Sequence, residues 1–160
     1  MHWFVQVISG NNSILHYLDD FLFGEKVGSD ECSKTLKKNQ DSCTQWGVPL
    51  AEDKTVNPTE ILIFLDIEFD TANMVMRLPS GKLNELKQKI TSCINKTKVT
   101  LRELQSLIGS INFVCQVIVP GRAFFRRLIV ATCDVRRPHH KIRLSRGMKE
   151  DLRVWLLFLS

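Results

Sequence analysis

The chain has 160 residues, 44% hydrophobic and 24% charged, a balance that excludes a disordered polypeptide and suits one domain or two small packed lobes. Its net charge of +5 hides an asymmetry: residues 1–80 hold 6 Lys+Arg and 12 Asp+Glu (−6), whereas residues 81–160 hold 16 and 5 (+11). An acidic half beside a basic half suggests a metal-bearing region next to a polyanion-bearing one.

In chain order, residues 2–8 read as the end of a helix, stopped by the turn signal Gly10-Asn11-Asn12. Residues 13–24 then place two adjacent acids, Asp19-Asp20, between apolar runs of strand type, Ile14-Leu15-His16-Tyr17-Leu18 and Phe21-Leu22-Phe23. This predicts a tight hairpin whose flanks enter a core and whose tip presents two carboxylates. Exposed anions on buried arms stabilise little but suit a hard divalent cation, which prefers oxygen ligands on a rigid support. Ser29-Asp30-Glu31 opens a polar helix running to about Trp46, with Gly47 and Val48-Pro49 ending it; residues 33–44 read as a solvent-facing cover on the sheet. Ile61-Leu62-Ile63-Phe64-Leu65 predicts a buried strand. Ile67, Phe69, Met74 and Met76 predict a second hairpin turning at residues 70–73.

After residues 78–81 the character becomes helical. Leu83, Leu86, Ile90, Cys93 and Ile94 recur at helical spacing. Thr100-Leu101-Arg102-Glu103 has the form of a capping box, and Leu101, Leu104, Ile108, Ile111, Cys115 and Ile118 form one apolar seam after it. Val119-Pro120-Gly121 ends that helix, and a further helix is expected from about Arg122 to Cys133. Pro138-His139-His140 breaks it. A last helix begins near Ser145 with Leu152, Trp155, Leu156 and Leu159 on one side. His139 and His140 read as solvated loop residues rather than ligands, and Trp155 as a core anchor.

Five widely spaced cysteines without a C-x-x-C pair argue against a disulfide framework or a zinc site. No apolar run approaches the roughly 18 residues a membrane span needs, so no membrane partner is expected. The start lacks a signal peptide's basic stretch and cleavage site, so an intracellular location, cytoplasmic or nuclear, is the default expectation.

The Tyr17-Leu18-Asp19-Asp20 segment resembles the metal-binding hairpin of reverse transcriptases. Three further segments resemble parts of the same family in the same order. Phe64-Leu65-Asp66-Ile67-Glu68-Phe69-Asp70 is similar to the hairpin that grips the primer. Residues 104–113, Leu-Gln-Ser-Leu-Ile-Gly-Ser-Ile-Asn-Phe, are similar to the first long thumb helix, and Val119-Pro120-Gly121-Arg122 to the turn after it. The wider phrasing looks like the enzymes of tyrosine-recombinase retrotransposons of the DIRS group. The resemblance implies an α+β fold, a partial polymerase palm of antiparallel hairpins with helices followed by a small helical thumb. It divides the chain into palm (1–78), thumb (79–134) and the start of a connection toward a ribonuclease H domain (135–160).

It also implies roles. Asp19 and Asp20 would be catalytic metal ligands for Mg2+ in two-metal nucleotidyl transfer from deoxynucleoside triphosphates. Tyr17 and Leu18 would touch the primer terminus, and Phe64, Leu65, Asp66, Ile67 and Glu68 would grip the primer. Gln105, Gly109 and Phe113 lie on a helical face apart from the seam and would track an RNA or DNA template–primer duplex. Arg122, Arg126 and Arg127 would add phosphate contacts. Gly109 in helix packing and Phe113 in the core is the competing reading. Asp66 stands where the family carries glycine, and its carboxylate would repel primer phosphate. A further catalytic aspartate lies upstream in the family, on a strand with no counterpart in the 18 residues before Asp19, so the chain is expected to bind template–primer but not to polymerise alone. The alternative is a non-catalytic nucleic-acid-binding or assembly module descended from such an enzyme. Oligomeric state is not legible.

Overall fold

Apolar residues alternating on either side of Leu18-Asp19 fold the first described segment into an antiparallel hairpin, β1 (Ile14–Tyr17) and β2 (Asp20–Phe23), in register from Ile14↔Phe23 to Tyr17↔Asp20. The structure, a computed structural model, describes residues 14–26 and 28–160; the helix expected over residues 2–8 and the Gly10-Asn11-Asn12 turn lie outside them. It is mixed α+β with small antiparallel sheets, as expected, and its contacts separate two units, Met1–Phe64 and Leu65–Ser160.

In the first unit, helix α1 (Glu31–Gln45) packs along β2, with the Cys32 thiol reaching the Phe23 carbonyl at 3.9 Å. Its buried positions, Thr35 and Asn39, are four apart and polar. Gly47 ends it in the left-handed conformation (φ +69°), where Gly47 and Val48 N–H donate to the Thr44 and Cys43 carbonyls. Strand β3 (Ile61–Phe64) corrects the expectation of a buried strand: Ile61 and Ile63 are 53% and 56% exposed, while Leu62 and Phe64 are half-buried. A strand apolar on both faces needs cover on both, and this one has it on one at most.

The second unit opens with the expected hairpin, β4 (Ile67–Asp70) and β5 (Val75–Arg77), closed by residues 71–74, one position later than the expected 70–73 because Asp70 pairs with Val75 in the ladder. Asp70 holds that turn: Asn73 donates to it from its backbone N–H and its side-chain amide, both at 2.9 Å, and Arg77 donates at 2.7 Å. These bonds, those from Asn73 foremost, push the Asp70 carboxyl below its usual range. Met74 and Met76 are exposed.

The core lies in the helices that follow: α2 (Ser80–Asn95), α3 (Leu101–Val114), the short α4 (Arg126–Val130) and α5 (Arg146–Phe158). The capping box forms as the sequence implies. Glu103 N–H donates to the Thr100 hydroxyl (3.2 Å), and Thr100 N–H donates to the Glu103 carboxylate (2.7 Å). The α3 seam runs through Leu101, Leu104, Leu107, Ile111, Val114 and Cys115, with Ile108 and Ile118 only half-buried. A straight helix drifts from an alternating three–four pattern, so Leu107 and Val114 take up the inward positions. Leu104 and Ile111 are fully buried, each worth about 2 kcal/mol relative to exposure.

Between α3 and α5 the chain departs from the sequence reading. Instead of one helix from Arg122 to Cys133, a 3-10 stretch (Val119–Phe124) precedes α4. Phe125 leaves the helical conformation (φ −134°) and is buried. Gly121 lies so close to the indole of Trp155 that an added Cβ would stand 2.2 Å from Cη2. Residues 135–160, expected to begin a connection, supply Ile142, Leu144, Met148, Leu152, Trp155 and Leu159 to the same core as α2 and α3. Among the described residues no helix is long and apolar enough to cross a membrane.

Candidate functional site

Site residues expected from the sequence occur in both units. In the first unit the β1–β2 connection is only two residues, Leu18 and Asp19. Leu18 has φ +55° and Asp19 does not share a positive φ, the pattern of a II′ hairpin turn, which ordinarily takes glycine at its first position. A branched residue held there stores backbone strain of roughly 1 kcal/mol or more, and such strain gathers at functional positions. The tip is braced locally. The His16 ring nitrogen donates to the Leu18 carbonyl, and the ring stacks on Phe21 across the hairpin at 4.5 Å.

The hairpin's flanks are less buried than the sequence implies. Ile14 is core, but Leu15, Tyr17 and Leu18 are 60%, 56% and 74% exposed. Alternation places Leu15 and Tyr17 on the face away from Ile14, so only one side of the ribbon is covered. Asp19 and Asp20 are both exposed on this strained tip, beside an exposed tyrosine and leucine. Among the described residues no three His, Cys, Asp or Glu side chains converge as a metal site would require. Asp19 and Asp20 thus offer a hard cation two carboxylates and no third partner there.

The proposed grip residues straddle the two units. Phe64 closes β3, and Leu65 and Asp66 then carry consecutive positive φ values, +50° and +63°, ahead of Ile67 and Glu68 in β4. The left-handed backbone at Asp66 is a conformation glycine takes without penalty. Asp66 is not a bare anion: Lys82 pairs with it at 3.1 Å. Ile67 is buried, and Glu68 faces Arg77 at 3.4 Å.

In the second unit, Gln105 and Gly109 are exposed on α3 and Phe113 is half-buried, packing against the core. Among the described residues, and apart from its own helix backbone and chain neighbours, no atom comes within 4 Å of where a Cβ on Gly109 would stand, so close packing by another helix does not require this glycine. Gly109 and Phe113 line a cavity of about 300 Å³ between α2 and α3, together with Lys82, Glu85, Lys89 and Ser110; Gln105 lies outside it. Its cations are already neutralised, Lys82 by Asp66 (3.1 Å) and Lys89 by Glu85 (2.7 Å).

The three arginines separate. Arg122 and Arg126 are exposed and form no ion pair among the described residues, whereas Arg127 donates to the buried Asp151 at 2.8 Å and to the Gly147 carbonyl. Arg127 is committed to holding α4 against α5. Sequence reasoning missed this because Asp151 lies on another helix. Glu103 is held down to about 2, chiefly by the Lys96 ammonium that donates to it at 2.8 Å and then by its bonds from Thr100.

No protein-family model matches the sequence, and neither does any curated protein. Among solved structures the chain is similar to a foamy viral protease-reverse transcriptase (dRH) in complex with double-stranded DNA, with a TM-score of 0.67 and 22% identity. The match covers 98% of this chain and 26% of that one, so the chain spans about a quarter of that protein's length. At this identity the likeness shows the fold alone, which is reverse-transcriptase-like.

Proposed function

We propose that this chain is the palm-and-thumb portion of a retroelement RNA-directed DNA polymerase of the tyrosine-recombinase type, and that it binds a template–primer duplex along the exposed face of α3. The observation that carries the reading is Gly109, an exposed glycine inside a helix of a reverse-transcriptase-like fold, lining the cavity beside α2 with room for a ligand at its Cα. A glycine in a helix interior costs about 1 kcal/mol relative to alanine, and among the described residues no close packing at that position offsets it. Close approach of a ligand backbone does. Gln105 one turn earlier offers an amide to base or sugar edges, and Phe113 one turn later offers an aromatic edge. Arg122 and Arg126 supply phosphate contacts. Between Leu101 and Phe113 the helix rises about 18 Å, which matches roughly five base pairs of duplex.

In this reading Tyr17 and Leu18 meet the primer terminus, and Asp19 and Asp20 donate carboxylate oxygens to Mg2+. The ion supplies charge neutralisation for phosphoryl transfer when bound. Two carboxylates do not complete a two-ion site, so no catalytic step is assigned to these residues alone. That shortfall among the described residues favours a second reading, a nucleic-acid-binding module without polymerase chemistry.

The test is equilibrium binding of the chain to RNA–DNA hybrid and to DNA duplex across a salt series. The expected result is an affinity that falls steeply with salt, by about one log unit per log unit for each phosphate engaged. Absent or salt-independent binding overturns the proposal. Primer extension with magnesium, with the fingers and upstream palm of a reverse transcriptase supplied, separates the two readings. Synthesis that Asp19→Asn abolishes supports the first, and no synthesis with duplex affinity retained supports the second.

A further inference from the structure

The cavity lysines and Arg127 are paired internally, so the strong positive charge of the second half must be presented elsewhere. Three of its 16 Lys and Arg residues stand together on a small ribbon that the sequence did not reveal: β6 (Lys98–Thr100) paired antiparallel with β7 (Lys141–Arg143). The register sets Lys98 opposite Arg143, Val99 opposite Ile142 and Thr100 opposite Lys141. Val99 and Ile142 are buried in the core, so Lys98, Lys141 and Arg143 share the outer face, and all three are exposed. Like charges directly opposite each other on a ribbon destabilise it. Among the described residues none of the three forms an ion pair. Glu103, in the first turn of α3 next to the ribbon, does not relieve them, because it is taken by Lys96.

This cationic face is held rigidly. The loop leading into β7 carries Arg136, Arg137, His139 and His140, all exposed. Its Pro138 and His140 carbonyls accept from the first-turn N–H groups of α3, Arg102 at 3.1 Å and Leu101 at 2.9 Å. Leu144 N–H donates to the Thr97 carbonyl at 3.1 Å beyond the ribbon's end. The charges therefore stand on an anchored support with buried residues beneath it, not on a free tail.

We infer that the β6–β7 ribbon is a second nucleic-acid contact, a sequence-independent clamp on the phosphodiester backbone at the N-terminal end of α3. Paired cations that no acid of the unit neutralises are complementary to a closely spaced row of phosphates, which a nucleic acid presents at about one charge per 3.4 Å of each strand. The inference shares with the proposed function the premise that the chain binds nucleic acid, but it does not depend on the Gln105–Gly109–Phe113 face.

The experiment measures the salt dependence of binding to random-sequence duplex DNA for the unmodified chain, for the ribbon variant Lys98→Gln/Lys141→Gln/Arg143→Gln, and for the α3 variant Gln105→Ala/Gly109→Ala. Phosphatidylserine vesicles serve as a second polyanion. The ribbon variant is expected to lower the slope of log affinity against log salt by about 2 to 3, with a thermal midpoint unchanged or raised because the Lys98–Arg143 opposition is gone. An unchanged slope overturns the inference, and so does loss of vesicle binding with duplex binding retained. If the ribbon slope is unchanged while the α3 variant loses affinity, the inference fails and the proposed function stands. The reverse pattern keeps the ribbon and removes the α3 face. Should the triple variant melt lower, Lys141→Gln alone must still take about one unit off the slope.

Discussion

Replacing Gly109 by alanine separates a duplex-facing glycine from a packing glycine, because the two give effects of opposite sign. The site is interior to α3, and among the described residues nothing beyond the helix's own backbone lies within 4 Å of the new methyl group. With no clash to oppose it, the helix-propensity difference applies almost in full, a stabilisation of about 0.8 kcal/mol. For a unit of this size that raises the thermal midpoint by about 3 to 6 °C. The same methyl stands where the proposed duplex backbone approaches, and affinity for an RNA–DNA hybrid is expected to fall at least about tenfold, the equivalent of 1.4 kcal/mol. Differential scanning calorimetry gives the first number and fluorescence anisotropy at fixed salt the second. A lowered midpoint would mean that the space beside Gly109 is not open. A raised midpoint with unchanged affinity would mean that no duplex comes close there, and the α3 reading would be refuted.

Gly121 should behave in the opposite way. A Cβ there stands 2.2 Å from Trp155 Cη2, and Trp155 is fully buried, so neither side has room to yield. Gly121→Ala is expected to destabilise by about 3 kcal/mol, read from urea unfolding; an unchanged midpoint would show that the indole rotates away freely. Glu103 makes the fold acid-sensitive. Its folded value of about 2 lies below the ordinary 4.5, so its contribution is complete above about pH 4.5 and is lost as pH falls from there toward 2. Solvent screening of this half-exposed pair limits the effect to about 1 kcal/mol. Glu103→Gln should remove that part of the pH dependence, which unfolding midpoints between pH 6 and 2.5 would report; an identical profile would refute the assignment.

Features set by neighbours a few residues apart were legible in the chain itself. The Thr100–Glu103 capping box, the apolar faces of α2, α3 and α5, the tight hairpin with Asp19 and Asp20 at its tip, and the arrest of α1 at Gly47 all depend on short-range geometry. Composition halves likewise showed that the helical region would be basic. What the charges do there was decided only by long-range contacts. Arg126 and Arg127 are adjacent and alike in sequence, yet among the described residues only Arg127 meets an acid, because α5 brings Asp151 beside it. The apolar run of β3 read as core, but burial depends on what covers a strand, and Ile61 and Ile63 lie on its uncovered face. Residues 98–100 and 141–143 are too short for alternation to announce a strand, and their partners lie some forty positions apart. Only the closing of the helical core around Val99 and Ile142 brings the two together and turns scattered lysines and arginines into one charged face.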